Sequence, residues 1–394
     1  MRRILIYLII SLCLLFPCHL SAASEKNEVL TPQSAMEKQL DTLNLHDLEE
    51  FIIQVDQEVG RYIKDISLER MIENFKKGQL DLSPQEVLKS IFQYLFQEIL
   101  GNLTLLGKLL IVAVVCVVLQ NLQSAFANGT VAKLAYFVCY LVVITLAIGS
   151  FKVAVTTGLS TIDKMVEFMQ VLLPVLLALL TAMGGLTSVA LLQPFLMVSL
   201  SVMATFIQTI IFPMIFLCAV ISIANNISDR FKVSRLAGLL KQFTKVGIGL
   251  VLTIFIGIVT VEGVAGAVVD GVSLRTAKFV TGAFVPVAGS MFADALDAVI
   301  GGSLLLKNAI GLTGVLVLSV IVLFPVLKIL AVAVIYRLAA ALLQPLGDSL
   351  IADTLEDMAG SLFMVFAAVT SVAIMFFLTI TIIVGAANFT VMLR

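Results

Sequence analysis

The residues of this sequence best placed to take part in chemistry are charged side chains set within apolar runs. Lys328 directly follows the run Phe-Pro-Val-Leu, Arg337 lies nine residues further on, and Glu262 ends another apolar run. A charge in hydrocarbon is costly, so such residues usually face water, protein or a partner charge. Their plainer explanation is snorkelling, in which a long side chain at a helix end reaches the membrane surface. We predict that Arg337 is paired or faces water, whereas Lys328 and Glu262 fit either explanation.

The sequence contains few residues that could catalyse a reaction. There are two histidines, His19 and His46, so general-base catalysis or metal ligation by histidine has almost no support. Residues 101–108 resemble a phosphate-binding loop, but five residues rather than four separate the glycines, and leucine rather than Ser or Thr follows the lysine. The segment therefore does not match the nucleotide-binding motif. Three cysteines beyond the N-terminal segment lie in apolar runs, as packing residues do: Cys116, Cys139 and Cys218. We therefore predict a protein that is not an enzyme and has no catalytic, cofactor-binding or metal-binding residues.

Basic residues cluster in one short segment between two apolar runs. Loops with an excess of Lys and Arg stay on the cytoplasmic side of a membrane protein. A nucleic-acid site is the other explanation of such a cluster, and it is much the rarer one between membrane spans. We therefore predict a cytoplasmic loop and no nucleic-acid partner. The cluster comprises Arg230, Lys232, Arg235, Lys241 and Lys245.

The apolar runs predict the fold class, an all-α polytopic membrane protein. Hydrophobic residues make up 60% of the 394 residues, charged residues 13%, and the mean hydropathy is +1.09, which excludes an ordinary soluble fold. Runs long enough to cross a bilayer predict a bundle of about seven or eight transmembrane helices in residues 101–394. Two segments are harder to assign: 263–307 fits an extracytoplasmic loop with interfacial helices or a re-entrant element, and 329–346 fits an interfacial helix or an imperfect span. The predicted spans are 105–123, 134–151, 165–183, 189–207, 209–227, 246–261, 312–331 and 362–386.

The N-terminal hundred residues predict an exported segment. Residues 1–23 have the charged start, apolar core and small-residue site of a signal peptide cleaved after Ala23, although an uncleaved anchor is the alternative. Residues 24–100 are acidic and show helical periodicity, which predicts a small extracytoplasmic helical domain or a solvated helical spacer. An exported N-terminus followed by five spans places the basic loop in the cytoplasm, in agreement with its charge.

A weak internal repeat links two parts of the membrane region. Residues 172–194 and 323–345 both begin Leu-x-Pro-Val-Leu and end Ala-Leu-Leu-Gln-Pro. Four predicted spans separate the copies, so a genuine duplication would be a parallel one, of the kind found in transport proteins. The alternative is that two lipid-adapted segments converged in composition.

One run of the sequence resembles a known family. The run GVSLRTAKFVTGAFVPVAGSMFADALDAVIGGSLLLKNAIG (271–311), with the signal peptide, the acidic N-terminal segment and LLQPLGDSLIADTLEDMAGSL (342–362), is similar to the stage III sporulation protein AE family of endospore-forming bacteria. The resemblance implies a multi-pass subunit in the mother-cell membrane around the forespore. That subunit would belong to a secretion-like channel complex that connects the two cells after engulfment and is needed for late sigma-factor activity in the forespore. It also implies ring-forming intermembrane proteins and a secretion-type ATPase as partners, and it carries no catalytic motif.

Two functional hypotheses therefore stand side by side. The first is a non-enzymatic membrane subunit of such a channel complex, surrounded by lipid, with a homo-oligomer as an open alternative. The second is a stand-alone secondary transporter or permease with a site near the membrane midplane. The repeat and the embedded charges favour the transporter, whereas the scarcity of acids within the predicted spans opposes it.

Overall fold

The fold is a bundle of long α-helices. The computed structural model describes residues 46–59, 84–125, 130–227, 233–284, 288–346 and 349–392, and these ranges contain nine α-helices and no strand. A π-helical turn, Ile207–Ile211, joins α5 to α6, and a 3-10 turn, Gln344–Leu346, follows α8. The predicted all-α polytopic fold is confirmed. The helices are α1 (His46–Val59), α2 (Pro84–Gly101), α3 (Leu103–Ala125), α4 (Thr130–Ala182), α5 (Leu186–Phe206), α6 (Phe212–Ile227), α7 (Ser234–Phe284), α8 (Ala288–Leu343) and α9 (Ser349–Met392).

The described part of the chain has fewer and longer membrane helices than the seven or eight predicted. It holds five helices long and apolar enough to cross a bilayer, or six if α2 and α3, which meet at a 42° bend, form one broken span. The predicted spans 134–151 and 165–183 are both parts of α4, and 189–207 and 209–227 both lie in the continuous unit from α5 to α6. The physical reason is that polar residues end an apolar run without ending a helix.

The chain reverses its direction at a glycine turn between α4 and α5. Between α4 and α5, Gly184 has φ 86°, in the left-handed region where a Cβ is strained. Its N–H donates to the carbonyl of Thr181 at 2.9 Å, and the N–H of Gly185 donates to the carbonyl of Leu180 at 2.9 Å, so the last carbonyls of α4 are satisfied. This turn makes α4 and α5 an antiparallel pair.

Contacts at two heights show that the other long helices alternate in direction. In the α4–α8 pair, the Tyr336 hydroxyl donates to the Ala147 carbonyl at 2.6 Å, whereas a Cβ at Gly314 would lie 2.6 Å from Leu172. In the α5–α7 pair, the Asp270 carboxylate accepts N–H groups at the start of α5, from Thr187 and Ser188, both at 2.8 Å. The first N–H groups of a helix have no partner within that helix, and these two are among them. Asp270 therefore caps the N-terminus of α5. The central helix is α9, which packs against α4, α6, α7 and α8.

The described N-terminal helices share one core with the membrane bundle. The Phe51 ring of α1 lies 5.4 Å from that of Phe168 in α4, and the Tyr94 ring of α2 lies 4.9 Å from that of Phe324 in α8. The predicted boundary at residue 100 therefore does not separate two hydrophobic cores. Helices this short bury too little apolar surface to be stable alone, so they pack against longer ones.

The two segments left open by the sequence are continuations of long helices. Residues 263–284 extend α7, and α8 starts at Ala288, while residues 285–287 lie outside the description. Residues 329–343 complete α8 and bury Ile329, Ala333 and Tyr336, so this part is neither a loop nor a surface helix. The signal peptide and its cleavage site after Ala23 lie outside the described residues.

The two repeat copies have different structures. Residues 172–194 form a helix, the turn at Gly184 and a second helix, whereas 323–343 run without a break through α8. The copies also point in opposite directions, because α4 and α8 are antiparallel. A parallel structural repeat is therefore absent here, and duplication at the level of sequence stays a prediction.

Candidate functional site

Charged side chains from α7, α8 and α9 surround a cavity of about 510 Å³ at one end of the bundle, which we call the charged end. Three of these residues are basic and three are acidic, so their formal charges balance. The charged residues of the lining are Lys241, Lys245, Arg337, Asp353, Glu356 and Asp357, and Asn226 of α6 joins them.

Helical spacing explains why these side chains converge. Lys241 and Lys245 are four residues apart on α7, and the three acids of α9 fall at positions i, i+3 and i+4, so each set occupies one helix face.

Two contacts define the geometry of the cavity wall. Lys241 Nζ lies 2.6 Å from Asp357 Oδ1, and about 30% of each side chain stays exposed (28% and 32%). A partly exposed pair of this kind contributes below about 1 kcal/mol, so it orients α7 against α9 more than it stabilises them. Arg337 is exposed, with its guanidinium carbon 5.8 Å from the centre of the Phe363 ring, in range for a cation–π contact.

Hydrogen bonds behind the cavity hold four helices in place. The Thr354 hydroxyl of α9 bonds to the Tyr140 hydroxyl of α4 at 3.0 Å and accepts from the Asn226 amide of α6 at 3.1 Å. Nearby, the Tyr336 hydroxyl of α8 is bonded to α4 through the Ala147 carbonyl. Such bonds are strong in a low-dielectric interior, so the charged side chains stand on a rigid support.

A second, smaller cavity lies about halfway along the bundle and contains Lys328. Its volume is about 200 Å³, and Lys164 of α4 lines it together with three hydroxyl residues. The N-terminal helices cover one side through Val55 and Tyr94. The hydroxyl residues are Thr157, Ser160 and Thr161.

The remaining predicted residues lie apart from the two cavities. Glu262 is half-buried on α7, next to the close packing of Gly263 on Ile382. Arg235 is exposed in the first turn of α7 and does not line the charged cavity. Arg230 and Lys232 lie outside the described residues, and the other three bases of the predicted loop belong to helix α7, so this part of the chain is not a loop. The structure thus joins Lys241, Lys245 and Arg337 in one cavity and places Lys328 in another.

The acids of α9 are the part of this site that sequence reasoning missed. Asp353, Glu356 and Asp357 read as the polar start of a helix, and only their i, i+3, i+4 spacing signalled a shared face. Across the described ranges, no group of three His, Cys, Asp or Glu residues is placed to hold a metal ion. The arrangement suits electrostatic recognition of another protein surface.

Comparison with known proteins decides the family. The sequence model of the stage III sporulation protein AE family matches residues 66–387. The chain belongs to this family. The stage III sporulation protein AE of Bacillus subtilis (strain 168) is 41% identical over 374 residues, which cover 95% of this chain and 94% of that protein. No solved structure matches the chain. The region matched to the stage III sporulation protein AE family includes every charged residue of the charged end.

Proposed function

We propose that this chain is a non-enzymatic membrane subunit of a secretion-like channel complex that connects mother cell and forespore after engulfment. Its place is the mother-cell membrane around the forespore, and late sigma-factor activity in the forespore depends on it. The observation that carries the proposal is the family match over residues 66–387, on a chain whose described part is a bundle of membrane-crossing helices.

The number of passes supports a cytoplasmic position for the charged end. An exported N-terminus leaves the chain outside, and the described residues before Ser234 form three units that traverse the bundle: the α2–α3 pair, α4, and α5 with α6. Three passes, like the five predicted from the sequence, are an odd number, so the start of α7 is cytoplasmic. The basic residues Lys241 and Lys245 agree with this orientation.

The charged end is then the docking place for the cytoplasmic partner. A secretion-type ATPase would approach from this side, and the balanced set of three bases and three acids around the cavity offers both signs of charge to it. The exported part of the N-terminal segment that precedes these packed helices would meet the ring-forming intermembrane proteins on the other side of the membrane.

One observation favours the alternative of a stand-alone transporter. The mid-bundle cavity, with Lys164, Lys328 and its hydroxyl groups, is a polar space within an apolar bundle, as solute sites are. Its small volume of about 200 Å³ limits such a solute to roughly the size of a benzene ring or slightly more.

Expression in one compartment at a time separates these functions. A deletion strain should regain late forespore gene expression when the chain is made in the mother cell and not when it is made in the forespore. Rescue from the forespore alone would contradict the proposed location. Solute uptake by the purified protein in liposomes, at a rate that accounts for the phenotype, would favour the transporter.

A further inference from the structure

One outer face of the bundle is polar at a height where the outer face of α7 is mostly apolar. On α4, every exposed position from Thr156 to Gln170 carries a polar side chain, at spacings of four and three residues. Five positions at this spacing extend about 21 Å along the helix. The α4 residues are Thr156, Ser160, Asp163, Glu167 and Gln170.

The neighbouring unit widens this polar face. The Gln208 amide, in the π-helical turn, donates to the Asp163 carboxylate at 2.7 Å, which fixes the two helices in register. One and two turns away on α5, Thr205 and Ser201 are exposed, and Ser201 shares a small groove with Gln170. The polar face therefore comprises eight side chains on two helices. An isolated π-turn is frequent at functional sites.

Packing contacts show which residues share a height. A Cβ at Gly158 of α4 would lie 3.1 Å from Phe212, and one at Gly247 of α7 would lie 2.9 Å from Ile211. Because Ile211 and Phe212 are consecutive, Gly158 and Gly247 lie at about the same height. Both α4 and α7 run antiparallel to the unit of α5 and α6, so they run in the same direction.

At this height the outer face of α7 is mostly apolar, and its two exposed threonines, Thr253 and Thr260, donate their hydroxyls to carbonyls of the same helix. Five large aliphatic side chains there are between 38% and 68% exposed, and they occupy the same interval as the polar face. An apolar face of this length is suited to lipid, whereas an Asp at the membrane centre costs about 3 kcal/mol. The polar face is therefore turned away from lipid. The α7 residues are Val246, Leu250, Ile254, Ile258 and Val261.

We propose that the polar face lines a water-filled passage within the membrane that closes between copies of this chain. A second copy is the fitting partner because all copies share one orientation in the membrane, so each presents the same polar side chains at the same height. Around an axis along the membrane normal, Asp163 and Glu167 then meet their own counterparts. Like charges repel in a dry interface, whereas across water they form an acidic ring of the kind that favours cations.

This inference deepens the proposed function, since it gives the chain a share in the wall of the channel. Its test uses labelling in membrane vesicles rather than sporulation, so the two proposals fail separately. Single cysteines are introduced by Ser160→Cys and Thr205→Cys in a background without the native cysteines. Matched controls are Leu250→Cys and Ile254→Cys, both on the apolar face of α7, where the native side chains are also exposed.

Water-soluble charged thiol reagents should modify the two polar-face variants at least about tenfold faster than the two controls, because charged reagents are excluded from lipid by several kcal/mol. A cationic reagent should react faster at Ser160→Cys than an anionic one, and adding Glu167→Gln should reduce that difference. Slow modification at the polar face would overturn the proposal. Equally fast modification at Ile254→Cys would also overturn it, since water would then surround the bundle at this height.

Cross-linking tests whether a second copy of the chain shares the passage. Bifunctional thiol reagents of increasing length should join two Ser160→Cys chains into a species of twice the mass, and should not join two Ile254→Cys chains. If no reagent of the series joins Ser160→Cys chains that are rapidly modified, the passage is not shared between copies, and this part of the proposal is wrong.

Discussion

At the scale of single residues, the charged end depends on complementary charge in a small space. Lys241 and Asp357 form its direct ion pair, at 2.6 Å, and Lys245 and Arg337 line the same cavity. Each base therefore has acids within the cavity and each acid has bases. Changing the sign of one residue disturbs several neighbours, whereas exchanging both partners of a pair preserves the balance.

Reversal of one charge should lower stability, and reversal of both should restore it. Asp357→Lys places a fourth base in the cavity, so we expect a lower temperature of thermal unfolding for the purified protein in detergent. Adding Lys241→Asp should recover most of the loss, since the pair contributes below about 1 kcal/mol and it matters little which helix carries the base and which carries the acid. Arg235→Asp is the control, because Arg235 is exposed on the same helix outside the cavity. Failure of the double variant to recover would argue against the pair.

Spore formation should depend on the positive charge of Arg337. Arg337→Leu removes the cation near three carboxylates and should reduce spore formation while the protein still accumulates in the membrane. Arg337→Lys, which keeps the charge and loses the planar contact with Phe363, should have a smaller effect. Spore counts and membrane protein levels measure both. Normal spore formation with Arg337→Leu would contradict a role for this charge.

At the scale of elements, one glycine turn decides how α4 and α5 pair. Gly184→Ala puts a Cβ on a backbone with φ 86°, which costs about 1 kcal/mol. The α4–α5 hairpin should weaken, and the temperature of thermal unfolding in detergent should fall. Gly257→Ala is the matched control, because a Cβ there meets nothing within 4 Å and alanine is the better helix former. Equal effects of the two substitutions would show that the turn is not strained.

The sequence predicted composition-driven features well and helix continuity poorly. Apolar runs identified the membrane bundle, and charge identified Lys241, Lys245 and Arg337, because both signals are local. The interval between the predicted spans 134–151 and 165–183 is predicted to connect two helices, yet it is helical in the structure and carries three residues of the polar face, Thr156, Ser160 and Asp163. The contact between Asp163 and Gln208 joins residues 45 positions apart, and pairing at that separation leaves no local pattern.

At the scale of the whole molecule, the bundle is asymmetric in two directions. Along its axis, the charged end differs from the end that carries the glycine turn at Gly184. Across its axis, the polar face of α4 and α5 differs from the apolar face of α7. An assembly that uses both asymmetries would receive a cytoplasmic partner at the charged end and further copies at the polar face.

Orientation in the membrane is the claim on which the assignment of both partners depends. Single cysteines introduced by Ser234→Cys, at the start of α7, and Ala182→Cys, beside the turn at Gly184, lie at exposed positions on opposite ends of the bundle. In intact cells without other cysteines, a membrane-impermeant thiol reagent should modify the Ala182→Cys protein and should reach the Ser234→Cys protein only after the cells are opened. Modification of Ser234→Cys in intact cells, with Ala182→Cys protected, would invert the molecule and contradict the proposed cytoplasmic docking at the charged end.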